Sequence, residues 1–284
     1  MKFKNRIQTN RFQLFSLLGV IVVLSVLFTS CDPDETQVVT NFTTITMQDE
    51  FDVAGAPNSD IWGFDIGRGN DGWGNKELQY YTDRSDNVVV EDGMLKITAV
   101  SESYQGAVYT SARLKTQGKF EQKYGRFEAR IKLPWGQGIW PAFWMLGSNF
   151  DIVSWPQCGE IDIMEFKGQE PTIISGSLHG PGYSAASPVT KSFELTNDRF
   201  DTGFHIFGIE WGEDYVNYYV DDVLYNQITP EDADGEWVFD QPFFIILNLA
   251  VGGGYVGTPN SSTVFPQEML VDYVRVYAAE YITF

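Results

Sequence analysis

The chain has 284 residues, 43% of them hydrophobic and 15% aromatic, and carries 38 acidic against 19 basic residues, a net charge of −19. An acid excess of this size repels polyanions, so it argues against a nucleic-acid-binding protein. There is no repeat and no low-complexity run, and the roughly 240 residues beyond residue 45 suit a single all-β domain.

The first thirty residues predict a secretory signal. An apolar stretch over residues 12–28 follows a basic start, and small polar residues then lead to Cys31. The basic start consists of Lys2, Lys4, Arg6 and Arg11. Because Cys31 ends this stretch, the region resembles a lipoprotein processing site at which that cysteine becomes lipidated. A retained transmembrane anchor is the alternative, since the stretch is nearly long enough to span a bilayer.

We therefore predict a signal peptide at residues 1–30, a tether at 31–45 and a folded domain at 46–284. Removal of the signal would leave 15 basic against 38 acidic residues, a net charge of −23. We expect export across the inner membrane, attachment to outer-membrane lipid through Cys31, and display at the cell surface. With Cys31 lipidated, Cys158 has no disulfide partner, and we predict that it is a packing residue.

Two stretches in the middle of the chain predict strands. Residues 126–133 alternate between charged and apolar side chains, which is typical of a half-exposed strand. Further on, Trp140 and Trp144 flank Pro141 in a stretch that is unusually rich in tryptophan. Being four residues apart, the two indoles share one face of a regular strand. Aromatic rings on such a face can stack against the apolar faces of sugar rings.

Three acids, Glu160, Asp162 and Glu165, lie within one short run whose other residues are isoleucine, methionine and phenylalanine. The apolar neighbours predict a strand packed against a core. Glu160 and Asp162 share a face of that strand, whereas Glu165, at an odd offset, would point to the opposite face. One extra residue near residues 163–164, a β-bulge, would return Glu165 to the face of the other two.

Clustered carboxyl groups suit the retaining hydrolysis of glycosides. One carboxylate attacks the anomeric carbon and a protonated carboxyl gives its proton to the leaving oxygen. Repulsion among three close carboxylates raises at least one pKa, which supplies the acid. A surface acidic patch and a calcium site are the alternatives. The apolar neighbours disfavour the first, and calcium usually takes its ligands from flexible loops.

Later segments also predict strands. Residues 216–220 alternate in polarity, and Asp221 and Asp222 predict a hairpin turn before residues 223–225. Residues 243–251 are apolar almost throughout and predict a central strand covered on both faces. Asn248 is polar within that run, so we expect it to face a cleft. No long amphipathic helix is evident, and many short strands with Gly- and Pro-rich turns predict a sandwich or jelly roll.

The acid run resembles the signature of glycoside hydrolase family 16 in its bulged form, Glu-x-Asp-x-x-Glu. The form with one residue fewer is typical of the lichenase branch. Further segments resemble the laminarinase-like branch, in the expected order: residues 73–82, 110–116, 138–146, 248–253 and 271–277. The resemblance runs from about residue 47 to 277. It implies a curved β-jelly-roll sandwich of two antiparallel sheets with a concave cleft, and retaining endo-hydrolysis of β-1,3-glucan of the laminarin type.

The resemblance also implies roles for single residues. Glu160 matches the nucleophile, Asp162 its helper and Glu165 the acid/base. Contacts to the polysaccharide substrate are implied for Asn75, Arg113, Trp140, Trp144, His179 and Asn248. Catalysis needs no cofactor, but a structural Ca²⁺ is implied at Glu50, the carbonyl of Gly93 and Asp272, with plain solvated acids as the alternative. We expect a monomer.

Two other functions stay open at this point. The first is the same hydrolysis of another polysaccharide: agar, carrageenan, porphyran or mixed-linkage β-glucan. The negative charge of the protein weakly favours a neutral glycan over a sulfated one. The second is a glucan-binding protein that does not catalyse hydrolysis. Such proteins typically lose the acids, whereas all three are present here.

Overall fold

The computed structural model of the protein describes residues 38–283, and the side chains of residues 40–280. The predicted signal peptide and Cys31 lie outside this range. The chain divides into two units: Thr40–Glu280 holds the sandwich, and the other comprises Met1–Val39 and Tyr281–Phe284. In the described residues no helix is both long and apolar enough to cross a membrane.

Between residues 38 and 283 the chain forms nineteen strands. They are β1 Val38–Asn41, β2 Ile45–Asp49, β3 Gly63–Phe64, β4 Gln79–Tyr81, β5 Val88–Glu91, β6 Met94–Tyr104, β7 Ala107–Ser111, β8 Arg113–Lys115, β9 Gly125–Lys132, β10 Ile139–Gly147, β11 Glu160–Phe166, β12 Ile173–His179, β13 Val189–Glu194, β14 His205–Trp211, β15 Val216–Val220, β16 Val223–Ile228, β17 Phe243–Val251, β18 Gln267–Tyr277 and β19 Glu280–Thr283. Helical structure in this range is confined to a π-helical turn at Gly72–Lys76 and a 3-10 turn at Pro230–Asp232.

The strands form two large sheets. The seven-stranded sheet has the order β13-β12-β11-β10-β17-β8-β3, and the ten-stranded sheet runs β16-β15-β14-β9-β18-β6-β7-β4 with β2 and β5 paired to β18 and β6. The pairs are antiparallel apart from β4 and β7, which run parallel. The predicted all-β jelly roll is confirmed. A separate two-stranded sheet pairs β1 with β19, so the segment predicted as a tether contains a strand.

One hydrophobic core fills the space between the two large sheets. Alternate residues of the longer strands point into it, as Phe127, Ala129 and Ile131 do from β9. In β17 all nine residues are buried, as the sequence predicts. Phe244 and Ile246, which alternate with the core positions of β17, form a second, smaller cluster on the other face together with Leu146 and Cys158.

The hairpin predicted at Asp221 and Asp222 is confirmed between β15 and β16. Both residues have positive φ, 49° and 61°, which is the conformation of the tight turn whose twist matches that of its strands. Asparagine, aspartate and glycine tolerate this backbone best. Two aspartates can therefore form the turn, and no glycine is needed.

Candidate active site

A bulge in β11 brings the three acids to one face, as the sequence predicts. Asp162 pairs with Ser177 and Glu165 with Ser175 of the neighbouring strand. Three steps along β11 therefore match two along β12, and residues 163–164 together stand opposite Gly176. The strand on the other side of β11 shows the same shift. The side chains of Ile161, Ile163 and Met164 are all buried in the core, so the acids occupy the opposite face.

Two glycines make this arrangement sterically feasible. Gly159, just before β11, has φ +77°, and a β-carbon there would lie 2.8 Å from the ring of Phe243. Gly176 faces the bulge, and a β-carbon on it would come within 2.5 Å of the Tyr218 ring and of the Tyr225 hydroxyl. Real β-carbons essentially never come within 3.0 Å of another heavy atom, so a larger residue at either position would force the neighbouring buried ring, Phe243 or Tyr218, to shift.

The register of the sheet explains how residues far apart in sequence meet at this face. One row crosses the strands from Arg113 through Asn248, Ala142 and Glu165 to Ser175. Ala142 lies between the catalytic candidate Glu165 and the amide of Asn248, and its small side chain leaves space above the sheet. This position of Ala142 could not be predicted from the sequence, because an alanine beside two tryptophans carries no chemical signal by itself.

His179 stands directly opposite Glu160 in the adjacent strand. Its Nε2 atom is 3.1 Å from Oδ2 of Asp162 and 3.8 Å from Oε1 of Glu160. Oδ2 of Asp162 and Nδ1 of His179 are both buried and have no hydrogen-bond partner. The predicted cleft residue His179 is thus a direct neighbour of the acids.

Burial and mutual repulsion raise the pKa values of all three acids. Burial, aided by the charge of Asp162, raises the pKa of Glu160 to about 8, while His179 opposes the shift. Burial raises the pKa of Asp162. Burial also raises the pKa of Glu165 well above its ordinary value, and the charges of Asp162 and Glu160 add to this. The three carboxyl groups cannot all ionise at neutral pH, so the site retains a proton for acid catalysis.

The two tryptophans share the active-site face, as predicted from their spacing, and both are half-buried. Nε1 of Trp140 donates a hydrogen bond to Oε1 of Glu165 at 3.1 Å. Nε1 of Trp144 donates to Oδ1 of Asn248 at 2.7 Å. Each indole is thereby oriented by a polar partner, and its ring remains partly exposed for contact with a ligand.

A buried glutamate that the sequence analysis did not single out, Glu77, organises the other polar candidates. The amide of Asn248 donates to the hydroxyl of Tyr81, which donates to Glu77 at 3.2 Å. Glu77 also accepts hydrogen bonds from Gln79 and from the predicted substrate contact Asn75. Glu77 lies in the segment 73–82 that carries the family resemblance, which was the signal available for it.

Arg113 lies at the edge of the same face. Its Nε is 2.9 Å from Oδ2 of Asp65, and its guanidinium stacks 4.9 Å from the ring of Trp73 and 4.8 Å from that of Trp144. The predicted contacts Arg113, Trp144, Asn248 and Asn75 therefore belong to one continuous network of side chains.

Further aromatic rings extend the face beyond the predicted residues. The ring of Tyr255 lies 4.9 Å from that of Trp140, and Nζ of Lys167 lies 4.6 Å from the Tyr255 ring centre. On the other side, Trp155 is 36% exposed and lies 6.0 Å from the imidazole of His179. Such rings offer stacking surfaces on both sides of the acids.

Cys158 is fully buried in the small cluster beside β17. Burial raises the pKa of its thiol to about 11, so the thiol stays neutral and packs as an apolar group. His205, on the other sheet, pairs its Nδ1 with Asp221 at 2.7 Å. Cys158 is thus the packing residue that the sequence predicts, and His205 has a structural partner.

The acids predicted to hold calcium are bound to arginines in this structure. Glu50 accepts two hydrogen bonds from Arg275, at 2.7 and 2.8 Å, and Asp272 accepts one from Arg130 at 2.7 Å. Both carboxylates are therefore already neutralised. A Ca²⁺ ion requires several free oxygen ligands, so it would bind here only if these arginines released the carboxylates.

The fold and this face define a carbohydrate-active enzyme: a β-jelly roll with three clustered carboxyl groups between aromatic platforms. The family model for Glycosyl hydrolases family 16 matches residues 75–275. A β-glucanase of Rhodothermus marinus is 43% identical over 82% of this chain and 84% of its own, and a glucan endo-1,3-β-glucosidase of Cryptopygus antarcticus is 41% identical over 74% and 81%. The catalytic domain of an endo-1,3-β-glucanase (laminarinase) from Thermotoga petrophila superposes with a TM-score of 0.81, at 47% identity, over 85% of this chain and 100% of its own.

The chain therefore belongs to glycoside hydrolase family 16.

Proposed function

We propose that the protein hydrolyses β-1,3-glucan of the laminarin type within the chain, with retention of configuration. The observation that carries this proposal is the bulged strand β11, which presents Glu160, Asp162 and Glu165 on one face beside Trp140. The β-1,3-glucanase relatives support the choice of substrate.

In the first step Glu165 protonates the glycosidic oxygen as a carboxylate oxygen of Glu160 attacks the anomeric carbon. The bond from that carbon to the glycosidic oxygen breaks, the leaving chain departs with a free hydroxyl, and the remaining sugar is held as an ester on Glu160. In the second step ionised Glu165 takes a proton from water, and the water oxygen attacks the same carbon. The ester bond breaks, and Glu160 returns as a carboxylate.

The family resemblance assigns the roles of the two glutamates, and their neighbours support the assignment. Glu165 is the acid, because the charges of Glu160 and Asp162 both raise its pKa. Glu160 matches the family's nucleophile, and the imidazole of His179, whose Nε2 lies 3.8 Å away, favours its ionised form, as it also does for Glu165. A hydrogen bond between Glu160 and Asp162 allows the shorter acid to orient the nucleophile and to share its proton.

Glu160→Gln and Glu165→Gln test these roles. We expect each variant to lose at least about a thousandfold in laminarin turnover while it keeps the wild-type circular dichroism spectrum. Azide should restore turnover of both alanine variants, with different products. We expect Glu160→Ala to form an α-glycosyl azide and Glu165→Ala to form a β-glycosyl azide. Near-normal hydrolysis by either Gln variant would falsify the assignment.

The same chemistry on another polysaccharide is the second candidate. Agar, carrageenan, porphyran and mixed-linkage β-glucan contain glycosidic bonds that this pair of glutamates can cleave. Reducing ends released from a panel of these polymers and laminarin separate the candidates. We expect laminarin to be cleaved at least about tenfold faster than the others. A glucan-binding protein without catalysis would bind laminarin and release no reducing ends.

For the cellular location we propose export, lipidation at Cys31 and anchoring in the outer membrane. The support is the basic start, the apolar stretch and the cysteine that ends it. Cys31→Ser should shift the protein from the membrane fraction to the soluble fraction of cells. An unchanged distribution would contradict the lipid anchor and favour a retained transmembrane segment.

The structural calcium ion remains a prediction from the family resemblance. Binding of Ca²⁺ at Glu50, Gly93 and Asp272 would require Arg275 and Arg130 to release their carboxylates. Thermal unfolding in a buffer with calcium and in the same buffer with EDTA tests whether the ion binds. A higher Tm with calcium, abolished by Asp272→Asn, would support the site, and an equal Tm would contradict it.

A further inference from the structure

His179, Asp162 and Glu160 offer three metal-ligand atoms of mixed type at one point of the active-site face. One atom from each residue lies within 4.8 Å of the other two. Nε2 of His179 is 3.1 Å from Asp162 and 3.8 Å from Glu160. In a tetrahedral zinc site with bonds near 2.0–2.2 Å, ligand atoms are about 3.3 Å apart. Two of the separations are thus already within about 0.5 Å of that value.

A buried oxygen within this group makes no hydrogen bond, which is a second indication of a cation site. Oδ2 of Asp162 is buried and faces Nε2 of His179 at 3.1 Å without the geometry of a hydrogen bond, and the residue is only 3% exposed. Leaving a buried carboxylate oxygen unpaired is unfavourable. A cation between Asp162, Glu160 and His179 would satisfy it. Within residues 40–280, no other group of three or more His, Cys, Asp or Glu side chains is arranged in this way.

We propose that His179, Asp162 and Glu160 bind one Zn²⁺ ion, which inhibits the enzyme by occupying the nucleophile. The imidazole nitrogen selects a transition ion over Ca²⁺ and Mg²⁺, which prefer oxygen ligands alone. Three protein ligands leave a fourth position for water. The ion holds the carboxylate oxygen of Glu160 that attacks the sugar, so ion and glucan exclude each other.

The surroundings of His179 predict a moderate affinity. A metal-bound histidine usually donates its second ring N–H to a neighbouring acceptor, which fixes the ring and strengthens the ligand. Nδ1 of His179 has no hydrogen-bond partner. We therefore expect a dissociation constant in the micromolar range, on the order of 1–100 µM, rather than the far tighter binding of structural zinc sites.

Glu165 provides a matched control. It lies on the same strand and is needed for hydrolysis, but it is not one of the three ligands and hydrogen-bonds instead to Trp140. Zinc binding by Glu165→Gln therefore separates the metal site from the catalytic proposal. Only the competition with glucan depends on the proposed function; the binding of zinc does not.

The test is calorimetric titration of ZnCl₂ into the purified protein carrying no added affinity tag. We expect one ion per chain for the wild type and for Glu165→Gln, and at least tenfold weaker binding for His179→Gln and Glu160→Gln. Circular dichroism checks whether each variant is folded. If one of these ligand variants does not fold, Asp162→Asn is measured in its place. Undiminished binding by folded His179→Gln, or the absence of binding by the wild type, would overturn the site.

Kinetics test the inhibition. Zinc should raise the apparent KM for laminarin with little change in kcat, and EDTA should reverse the effect. A fall in kcat at an unchanged KM would show that the ion does not compete with substrate and would refute the inhibitory role. The same conclusion would follow if a bound laminarin oligosaccharide left the calorimetric zinc affinity unchanged.

Discussion

At the residue scale, the chemistry depends on small differences among three neighbouring acids. Glu160, Asp162 and Glu165 have the same kind of charge and lie on the same face, yet each has different partners. Glu165 receives a hydrogen bond from Trp140, while Glu160 and Asp162 lie beside His179. In the proposed mechanism these partners support the division of roles into acid, helper and nucleophile.

Trp140→Phe tests how the indole tunes the acid. The hydrogen bond from Trp140 lowers the pKa of Glu165, so its removal should raise that pKa further. Because Glu165 acts while protonated, kcat/KM falls as the pH rises through its pKa. We expect the alkaline limb of the pH–activity profile to move to higher pH in Trp140→Phe, with activity reduced roughly tenfold by the smaller stacking surface.

Trp144→Phe is the matched control, because its indole binds Asn248 and not a carboxyl group. It should also lose activity but keep the wild-type alkaline limb. Equal shifts in both variants would mean that the hydrogen bond to Glu165 does not control its pKa.

Glu160→Gln should change stability in a pH-dependent way. Burial raises the pKa of Glu160 from 4.5 to about 8, so between these values the folded protein binds more protons than the unfolded chain. The wild type therefore loses stability as the pH rises from about 5 towards 8. Glutamine cannot ionise, so the variant avoids this loss. Since each pKa unit corresponds to about 1.4 kcal/mol, and three acids share the protons, we expect a gain of roughly 1–3 kcal/mol at pH 9.

Urea unfolding at pH 5 and pH 9 measures this difference. At pH 5 the two proteins should differ much less than at pH 9. The exposed acid Glu213 provides the control, and Glu213→Gln should not show the pH-dependent gain. A gain that is equal at both pH values would indicate a packing effect instead of ionisation.

At the element scale, the decisive feature is the extra residue in β11. Two residues of this strand stand opposite the single residue Gly176, which shifts the alternation by one position. Glu165 then returns to the face of Glu160 and Asp162, and residues 163 and 164 both point into the core. A bulge thus changes which face a side chain occupies without changing the strand's place in the sheet.

Removing the bulge should be tolerated better than extending it. Deletion of Ile163 restores strict alternation: Met164 faces the core, and Glu165 stays on the face of Asp162. We expect a folded enzyme with measurable turnover, within on the order of a hundredfold of wild type, and about 2–4 kcal/mol less stable because a buried side chain is lost.

Insertion of an alanine after Met164 is the counterpart. It turns Glu165 towards the core, so turnover should fall below detection. Laminarin assays and urea unfolding of both variants measure the outcome. A folded deletion variant as inactive as the insertion variant would mean that the bulge is needed for more than the orientation of Glu165.

At the scale of the whole molecule, the ten-stranded sheet carries its own polar network, away from the active-site face. Arg126 contacts Glu128 at 2.8 Å, Glu210 at 3.2 Å and Asp222 at 2.6 Å, linking β9, β14 and the turn after β15. Glu128 is only 6% exposed. A cavity of about 440 Å³ opens beside this network, lined in part by residues 40–42.

Arg126→Ala should destabilise the protein without altering the chemistry. It leaves Glu128 buried without its charged partner, which we expect to lower the free energy of unfolding by roughly 2–4 kcal/mol. Turnover per folded molecule should stay at the wild-type value, because the acids lie on the other sheet. Arg130→Ala is the control: its pair with Asp272 is more than a third exposed, so its loss should be below about 1 kcal/mol. Equal losses would contradict the importance of burial.

Much of the fold and of the site followed from the sequence. Alternation of apolar side chains is a local property, so the strands around Phe127 and along residues 243–251 were predictable, as was the bulge from the odd spacing of the acids. Regular alternation would place Glu165 on the face opposite the other two acids, and this mismatch indicated the bulge. Family motifs extended the prediction to Trp140, Trp144 and Asn248.

What only the tertiary structure decided were the partners of those residues. The register between strands places Ala142 between Asn248 and Glu165 and sets His179 against Asp162. The packing also links Glu77 to Asn248 through the hydroxyl of Tyr81. It also pairs the predicted calcium ligands with Arg275 and Arg130. Such contacts join segments separated by tens to hundreds of residues, and they depend on how strands align across a sheet. The sequence of a single strand therefore determines which face its side chains occupy, whereas their neighbours are determined by the packing of the whole chain.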